Sequence, residues 1–195
     1  MKLKPGAKTE TRIHMDTPLA QMKLKDTILS FLYKYKSKIT DPTIILCIGT
    51  DRSTGDALGP LVGTKLTQYK LPYIRVYGNL DNPVHAANLD ETIAKIHTTY
   101  HYPFIIAIDA GLGRHSSVGM IDVKDGPLKP GTGVNKELTP VGNMHLTGLV
   151  NIGGYMEYFV LQSTRLSLVM KMADIIAYGI QAGIREFFQK QAQAE

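Results

Sequence analysis

The chain has 195 residues, of which 44% are hydrophobic and 20% are charged, so it fits one domain with a buried core better than two independent cores. This composition argues against a disordered or fibrous protein, and no apolar run reaches the 18 or so residues that a membrane span needs. The net charge of +5 comes from residues 1–40, which hold nine Lys or Arg against three acids, so we expect neither a membrane nor nucleic acid as a partner.

The first 16 residues are polar and lack periodicity, which predicts a flexible basic N-terminal tail. Residues 17–195 are then predicted to form a single α/β domain. Thr17 and Pro18 are typical of a helix start, and the helix is predicted to run to about Lys38. The N-terminus lacks the apolar stretch of a secretory signal, so we expect a cytoplasmic protein.

Apolar runs then alternate with helical patterns along the chain. Residues 44–48 predict a central strand covered on both faces, in which Cys47 is buried and unreactive. One helix is predicted after Pro60, and a second helix is predicted to begin at a capping box formed by Asn88 and Glu91. Further strands are predicted at residues 73–77, 104–108 and 118–123, and a long final helix from about Thr164.

This alternation predicts a three-layer α/β/α fold with a central, mostly parallel or mixed sheet. In such folds ligands bind at the carboxyl ends of the strands. The loop at residues 124–139 is long and rich in glycine and proline, which is typical of a binding loop.

Two acidic residues lie beyond the carboxyl ends of predicted strands. Asp56 lies in a glycine-rich loop, residues 49–60, which is neither a phosphate-binding loop nor a dinucleotide fingerprint. Asp109 ends the strand at residues 104–108. Each is either a turn or capping residue or a functional carboxylate, and the pattern alone leaves both interpretations open. His145 lies among apolar residues and is either a core histidine or a ligand.

Three separated segments resemble the germination protease of spores. They are residues 56–60 (Asp-Ala-Leu-Gly-Pro), residues 108–110 (Ile-Asp-Ala) and residues 130–136, whose Pro-Gly-Thr-Gly-Val precedes Asn-Lys. Residues 145–148 (His-Leu-Thr-Gly) resemble a segment of the hydrogenase-maturation endopeptidases. Chain length and segment order are most similar to the YyaC family of sporulation proteins, a smaller relative of both groups.

The resemblance implies a spore protease that hydrolyses peptide bonds in sporulation or germination, in the forespore or spore core. The two aspartates that match Asp56 and Asp109 are regarded as catalytic in the germination protease. In the hydrogenase-maturation endopeptidases the matching acids join a histidine, here His145, in a metal site. Glycines allow close backbone approach to a ligand, so Gly49, Gly55, Gly131 and Gly133 are candidate substrate-binding residues.

Three hypotheses follow. In the first, Asp56 and Asp109 share a proton and activate water toward a peptide carbonyl. In the second, Asp56, Asp109 and His145 bind a divalent metal such as Zn, Ni or Mn. In the third, the protein is a non-catalytic binding or scaffolding protein of the spore. The expected partner is a peptide or protein substrate, and four minor candidates are Asp51, Asn79, His85 and His115.

Overall fold

The computed structural model describes residues 10–36, 40–72, 74–131 and 138–193. Its strands are β1 (Thr11–His14), β2 (Thr43–Cys47), β3 (Ile74–Tyr77), β4 (Phe104–Gly113), β5 (Met120–Asp125) and β6 (Met144–Ile152). Its helices are α1 (Ala20–Tyr35), α2 (Leu58–Gln68), α3 (Leu89–Thr99), α4 (Glu157–Gln162) and α5 (Leu166–Ala192), with a short 3-10 helix at His115–Ser117.

The six strands form one mixed sheet in the order β1-β5-β6-β4-β2-β3. The pairs β2–β3, β2–β4 and β4–β6 are parallel, whereas β1–β5 and β5–β6 are antiparallel. All five residues of β2 are buried, as are the first five of β4, because both faces of these strands are covered. Since β4 and β6 occupy the middle of the sheet, the prediction that residues 44–48 form the central strand is wrong.

Two hydrophobic cores lie on opposite faces of the sheet and make the protein a three-layer α/β/α structure, as predicted. The larger core packs α1, α2 and α5 against one face, to which Ile45 and Ile106 belong. The smaller core packs α3 against the other face, to which Leu46 and Ala107 belong. Cys47 is fully buried in the larger core, and burial raises the pKa of its thiol far above the usual range. Within the described ranges, none of the helices combines the length and the apolar character needed to cross a membrane.

The segment predicted as the end of a flexible tail is an edge strand. β1 pairs with β5, the Ile13 side chain is buried, and the Arg12 guanidinium donates to both carboxylate oxygens of Asp122 at 2.5 and 2.6 Å. Because β1 is four residues long and only Ile13 is apolar in it, no hydrophobic pattern marks it in the sequence. The tail prediction is therefore wrong for residues 11–14, and residues 1–9 lie outside the described part of the chain.

Several helix starts and two whole elements differ from the predictions. α1 begins at Ala20, because Leu19 adopts a left-handed conformation with φ 60°. The capping box does not form, since the Asn88 side chain instead accepts a hydrogen bond from the N–H of His85. β6 and α4 were not predicted, and the final helix begins two residues after Thr164.

We expect Ile13→Ala to lower the free energy of unfolding by roughly 2 kcal/mol or more, because it opens a cavity beneath β1. Urea denaturation measures this change. The exposed neighbour Glu10 provides the control, and Glu10→Ala is expected to change stability by less than about 0.5 kcal/mol. If Ile13 belonged to a loosely held tail, the two variants would behave alike.

Candidate active site

The order of the strands places the candidate site between β2 and β4. From β2 the chain passes to β3 on one side, and from β3 it crosses back to β4 on the other side. Connections that leave two neighbouring parallel strands in opposite directions open a crevice at their carboxyl ends, where ligands of open α/β sheets bind. Asp56 lies in the loop after β2, and Asp109 lies in the carboxyl half of β4. The topology therefore brings the two predicted carboxylates to one crevice.

The loop that carries Asp56 folds back on its own beginning. Gly49 has φ 140°, and a Cβ added to it would lie 2.0 Å from the carbonyl oxygen of Asp56. The N–H of Thr50 donates to that same oxygen at 3.2 Å. Only glycine tolerates both this φ and this contact. Gly49 therefore determines where Asp56 lies, and its predicted role in substrate binding stays a prediction.

Gly55 contacts α4 instead of open solvent. Its N–H donates to the carbonyl oxygen of Leu161 at 2.9 Å. A Cβ at this position would lie 2.8 Å from Leu161 Cδ2 and 3.0 Å from Thr164 Oγ1. Gly55 thus packs against α4 directly before Asp56. Whether Gly55 also contacts substrate stays a prediction.

Asp109 carries the more strongly perturbed carboxyl group. The N–H of Ala110 donates to its Oδ1 at 2.8 Å, which favours the ionised form. Burial and the negative charge of Asp56 oppose this and raise the pKa of Asp109 well above its ordinary value. Because the charge of Asp56 acts on Asp109, the two carboxyl groups are close enough to repel each other.

Burial also raises the pKa of Asp56, but two neighbours oppose the shift. The backbone N–H of Thr50 and the charge of His85 both lower the pKa of Asp56. Among the described residues, no positively charged group acts in this way on the pKa of Asp109. The pKa of Asp109 is therefore raised further than that of Asp56.

His85, ranked only as a minor candidate from the sequence, is the imidazole that acts on Asp56. The preceding Val84 pairs with Ile48, and its carbonyl oxygen accepts the N–H of Gly49 at 2.8 Å. The N–H of His85 donates to Asn88 Oδ1 at 2.8 Å, and the His85 ring Nδ1 accepts the N–H of Ala87 at 3.3 Å. These bonds hold His85 at the same end of the sheet as the two aspartates. The signal in the sequence was its place between the predicted strand at residues 73–77 and the helix predicted from the Asn88 capping box.

His145 lies on the same face of the sheet as Asp109 but further from the carboxyl edge. Asp109 pairs with Thr147, and His145 is two residues earlier on β6, about 7 Å along the strand. Its ring Nδ1 is 2.9 Å from the carbonyl oxygen of Gly126. Among the described residues, no three His, Cys, Asp or Glu side chains are grouped to hold a metal ion. The donor set Asp56, Asp109 and His145 is therefore not assembled in this structure.

The remaining candidates are exposed or serve the local backbone. Asp51 and His115 are exposed. The Asn79 side chain accepts the N–H of Asn82 at 2.7 Å and so closes a turn. Gly131 has φ 76° in the loop after β5, which suits a turn glycine. Gly133 lies outside the described residues.

We expect Asp109→Asn to stabilise the folded protein at neutral pH. The pKa of Asp109 is higher in the folded than in the unfolded protein, so its contribution to stability is full below the unfolded pKa and is lost as the pH rises through the folded pKa. The neutral Asn avoids this loss. Thermal unfolding should show a Tm increase of about 2 °C or more at pH 7 and little difference at about pH 3.5. Asp51→Asn, in the exposed part of the Asp56 loop, is the control and should leave Tm unchanged.

Replacement of His85 by Ala is expected to raise the pKa of Asp56, because it removes the charge that lowers it. Carboxyl ¹³C chemical shifts followed by NMR over a pH titration measure this pKa directly. His145→Ala is the matched control, since His145 is not among the groups that act on Asp56 or Asp109. An equal effect of the two variants would contradict the placement of His85 beside Asp56.

Comparison with known proteins agrees with the resemblance to the YyaC family. The chain is 54% identical over 165 residues to the "Uncharacterized protein YyaC" of Bacillus subtilis (strain 168). The aligned region covers 84% of this chain and 79% of that protein. The solved structure of the NiFe hydrogenase maturation protease HycI from Thermococcus kodakarensis KOD1 matches 77% of this chain and 99% of its own, with 17% identity and a TM-score of 0.46. A family model described as "Protein of unknown function (DUF1256)" matches residues 12–179. The chain belongs to this DUF1256 family.

Proposed function

We propose that this protein hydrolyses peptide bonds, with Asp56 as general base and Asp109 as general acid. The observation that carries the proposal is the pair of half-buried aspartates at the crevice between β2 and β4, where the charge of Asp56 raises the pKa of Asp109. Two carboxyl groups with different proton affinities can divide acid and base roles between them. A scaffold has no need of this repulsion, which disfavours the folded state at neutral pH.

In the proposed reaction Asp56 is ionised and Asp109 is protonated before the substrate binds. Asp56 accepts a proton from a water molecule, whose oxygen forms a bond to the carbonyl carbon of the substrate. Asp109 donates its proton to the carbonyl oxygen, which becomes a hydroxyl group. When the carbon–nitrogen bond breaks, the leaving amine takes the proton held by Asp56, and the hydroxyl proton returns to Asp109.

The proposed substrate is a polypeptide of the spore, acted on during sporulation or germination. This rests on the resemblance of residues 56–60, 108–110 and 130–136 to segments of the germination protease, and of the whole chain to the YyaC family of sporulation proteins. The corresponding location is the cytoplasm of the forespore or the spore core.

A metal-dependent reaction is the second mechanism to be tested. His145 bonds to the carbonyl oxygen of Gly126 and is not grouped with Asp56 and Asp109, so the residues do not fit the three-ligand site implied by the hydrogenase-maturation endopeptidases. We therefore derive no step through a metal. Dependence on Zn, Ni or Mn stays a prediction.

We expect Asp56→Asn and Asp109→Asn each to reduce cleavage by about 100-fold or more, the range that general acid–base groups contribute. The assay follows peptide release by mass spectrometry from unstructured β-casein and from proteins extracted from spores. Each reaction is run with a chelator and with added Zn, Ni or Mn, and Asp51→Asn is the matched control. Cleavage that persists in both variants would rule out the carboxylate pair, and activity restored only by one metal would favour the metal mechanism.

The second candidate function is binding without turnover. It is favoured by the exposed apolar side chains on and beside α4, among them Tyr155, Tyr158 and Phe159, which suit a polypeptide partner whether or not it is cleaved. The same assay separates the two functions. A binding protein would retain these polypeptides without releasing fragments, and neither Asn variant would change the amount retained.

A further inference from the structure

Large apolar side chains are exposed around α4, at the carboxyl end of β6. Tyr155 is 81% exposed and Phe159 is 57% exposed, although soluble proteins usually bury such groups. Together with Met156 and Tyr158 they form what we call the α4 surface. A shallow groove of about 600 Å³ runs along it and is lined by Tyr155, Met156, Phe159, Val160, Gln162 and Ser163. Exposed apolar patches of this kind mark binding sites.

The α4 surface is hydrogen-bonded to the loop that carries Asp56. The carbonyl oxygen of Leu161, in α4, accepts the N–H of Gly55, the residue before Asp56. On the other side, the Asn151 side chain donates to the carbonyl oxygen of Val160 at 3.2 Å and to Thr164 Oγ1 at 3.1 Å. The surface and the carboxylate pair therefore lie at the same edge of the sheet and are joined through one residue.

The chemistry of the α4 surface suits an apolar ligand with some polar edges. Glu157 is the one charged residue within α4, and its Oε1 accepts the N–H of Gly154 at 3.0 Å. The exposed side chains otherwise contribute aromatic rings, a thioether and the hydroxyl groups of Tyr155 and Tyr158. Tyr, Phe and Met are enriched where proteins recognise other polypeptides.

The size of the surface distinguishes between two possible occupants. A stable dimer buries about 800 Å² on each partner and uses some 20–30 residues per side. The α4 surface consists of four large side chains from one helix of six residues and its start. It is therefore too small for a stable contact between two copies of this chain, and it matches a short extended segment that carries one or two apolar side chains.

We propose that the α4 surface docks a short extended polypeptide segment through an apolar or aromatic side chain that lies near the bond to be cleaved. This inference rests on the proposed hydrolase function and adds the preference for an apolar residue. Docking next to Gly55 holds the neighbouring peptide bond close to Asp56. The surface thus selects the substrate, while the carboxylates carry out the reaction.

The test measures binding in the Asp109→Asn protein, so that cleavage does not interfere. Two fluorescein-labelled peptides of 12 residues built from Gly, Ser and Asn serve as probes; one has Phe-Leu-Tyr at its centre and the other has Ser-Asn-Ser. Fluorescence anisotropy should show tighter binding of the Phe-Leu-Tyr peptide. Adding Tyr155→Ser and Phe159→Ser should weaken that binding by about tenfold or more and leave the Ser-Asn-Ser peptide unaffected.

Tyr102→Ser is the matched control, because Tyr102 is 94% exposed and precedes β4 at the opposite edge of the sheet. It should leave binding unchanged, and thermal unfolding verifies that every variant is folded. Equal binding of both peptides, or binding unaffected by the α4 changes, would overturn the proposal. The proposal would also be overturned if sedimentation showed that the unaltered protein is a dimer and that the α4 changes dissociate it. Failure of the hydrolase proposal would appear separately, as unchanged cleavage in the two Asn variants.

Discussion

The parallel pairing of β2 with β4 is the constraint on which the candidate site depends. Cys47 lies opposite Ile108, and the N–H of Ile48 donates to the carbonyl oxygen of Ile108 at 2.7 Å, so β2 ends level with the residue before Asp109. A shift of one residue would turn Asp109 to the opposite face of the sheet and would move Ile106 and Ile108 out of the larger core and towards the smaller one. Burial of these side chains therefore fixes the register, and the register in turn holds Asp109 in the crevice beside Asp56.

The fold tolerates two repelling carboxyl groups because the stabilising contacts lie elsewhere. Ile44, Ile45 and Ile106 are fully buried between helices on both faces of the sheet, and each contributes about 1.5–3 kcal/mol. The two half-buried aspartates lie just beyond this core, where burial raises both pKa values. The balance allows one group to hold a proton while the other is ionised, which is the property that acid–base chemistry requires.

The sequence predicted those parts of the fold that are marked by continuous hydrophobic patterns. β2 and β4 are unbroken apolar runs, and the three-layer arrangement follows from their alternation with helices. β1 escaped prediction because its stability comes from one apolar side chain and from an ion pair with Asp122, 110 residues away. β6 escaped because His145, Thr147 and Asn151 interrupt its apolar pattern. Contacts between residues that are distant in the chain cannot be recognised from local periodicity.

The same limit explains why the two aspartates were the main candidates and His85 was only a minor one. Buried apolar runs before Asp56 and Asp109 could be recognised in the local sequence, and the resemblance to the germination protease then favoured functional carboxylates over turn or capping residues. The structure extends β4 to Gly113, so Asp109 lies within the strand and not at its end. The choice between His85 and His145 depends on register, since His145 lies two residues short of the level of Asp109, whereas the bridge between Val84 and Ile48 brings His85 to the edge.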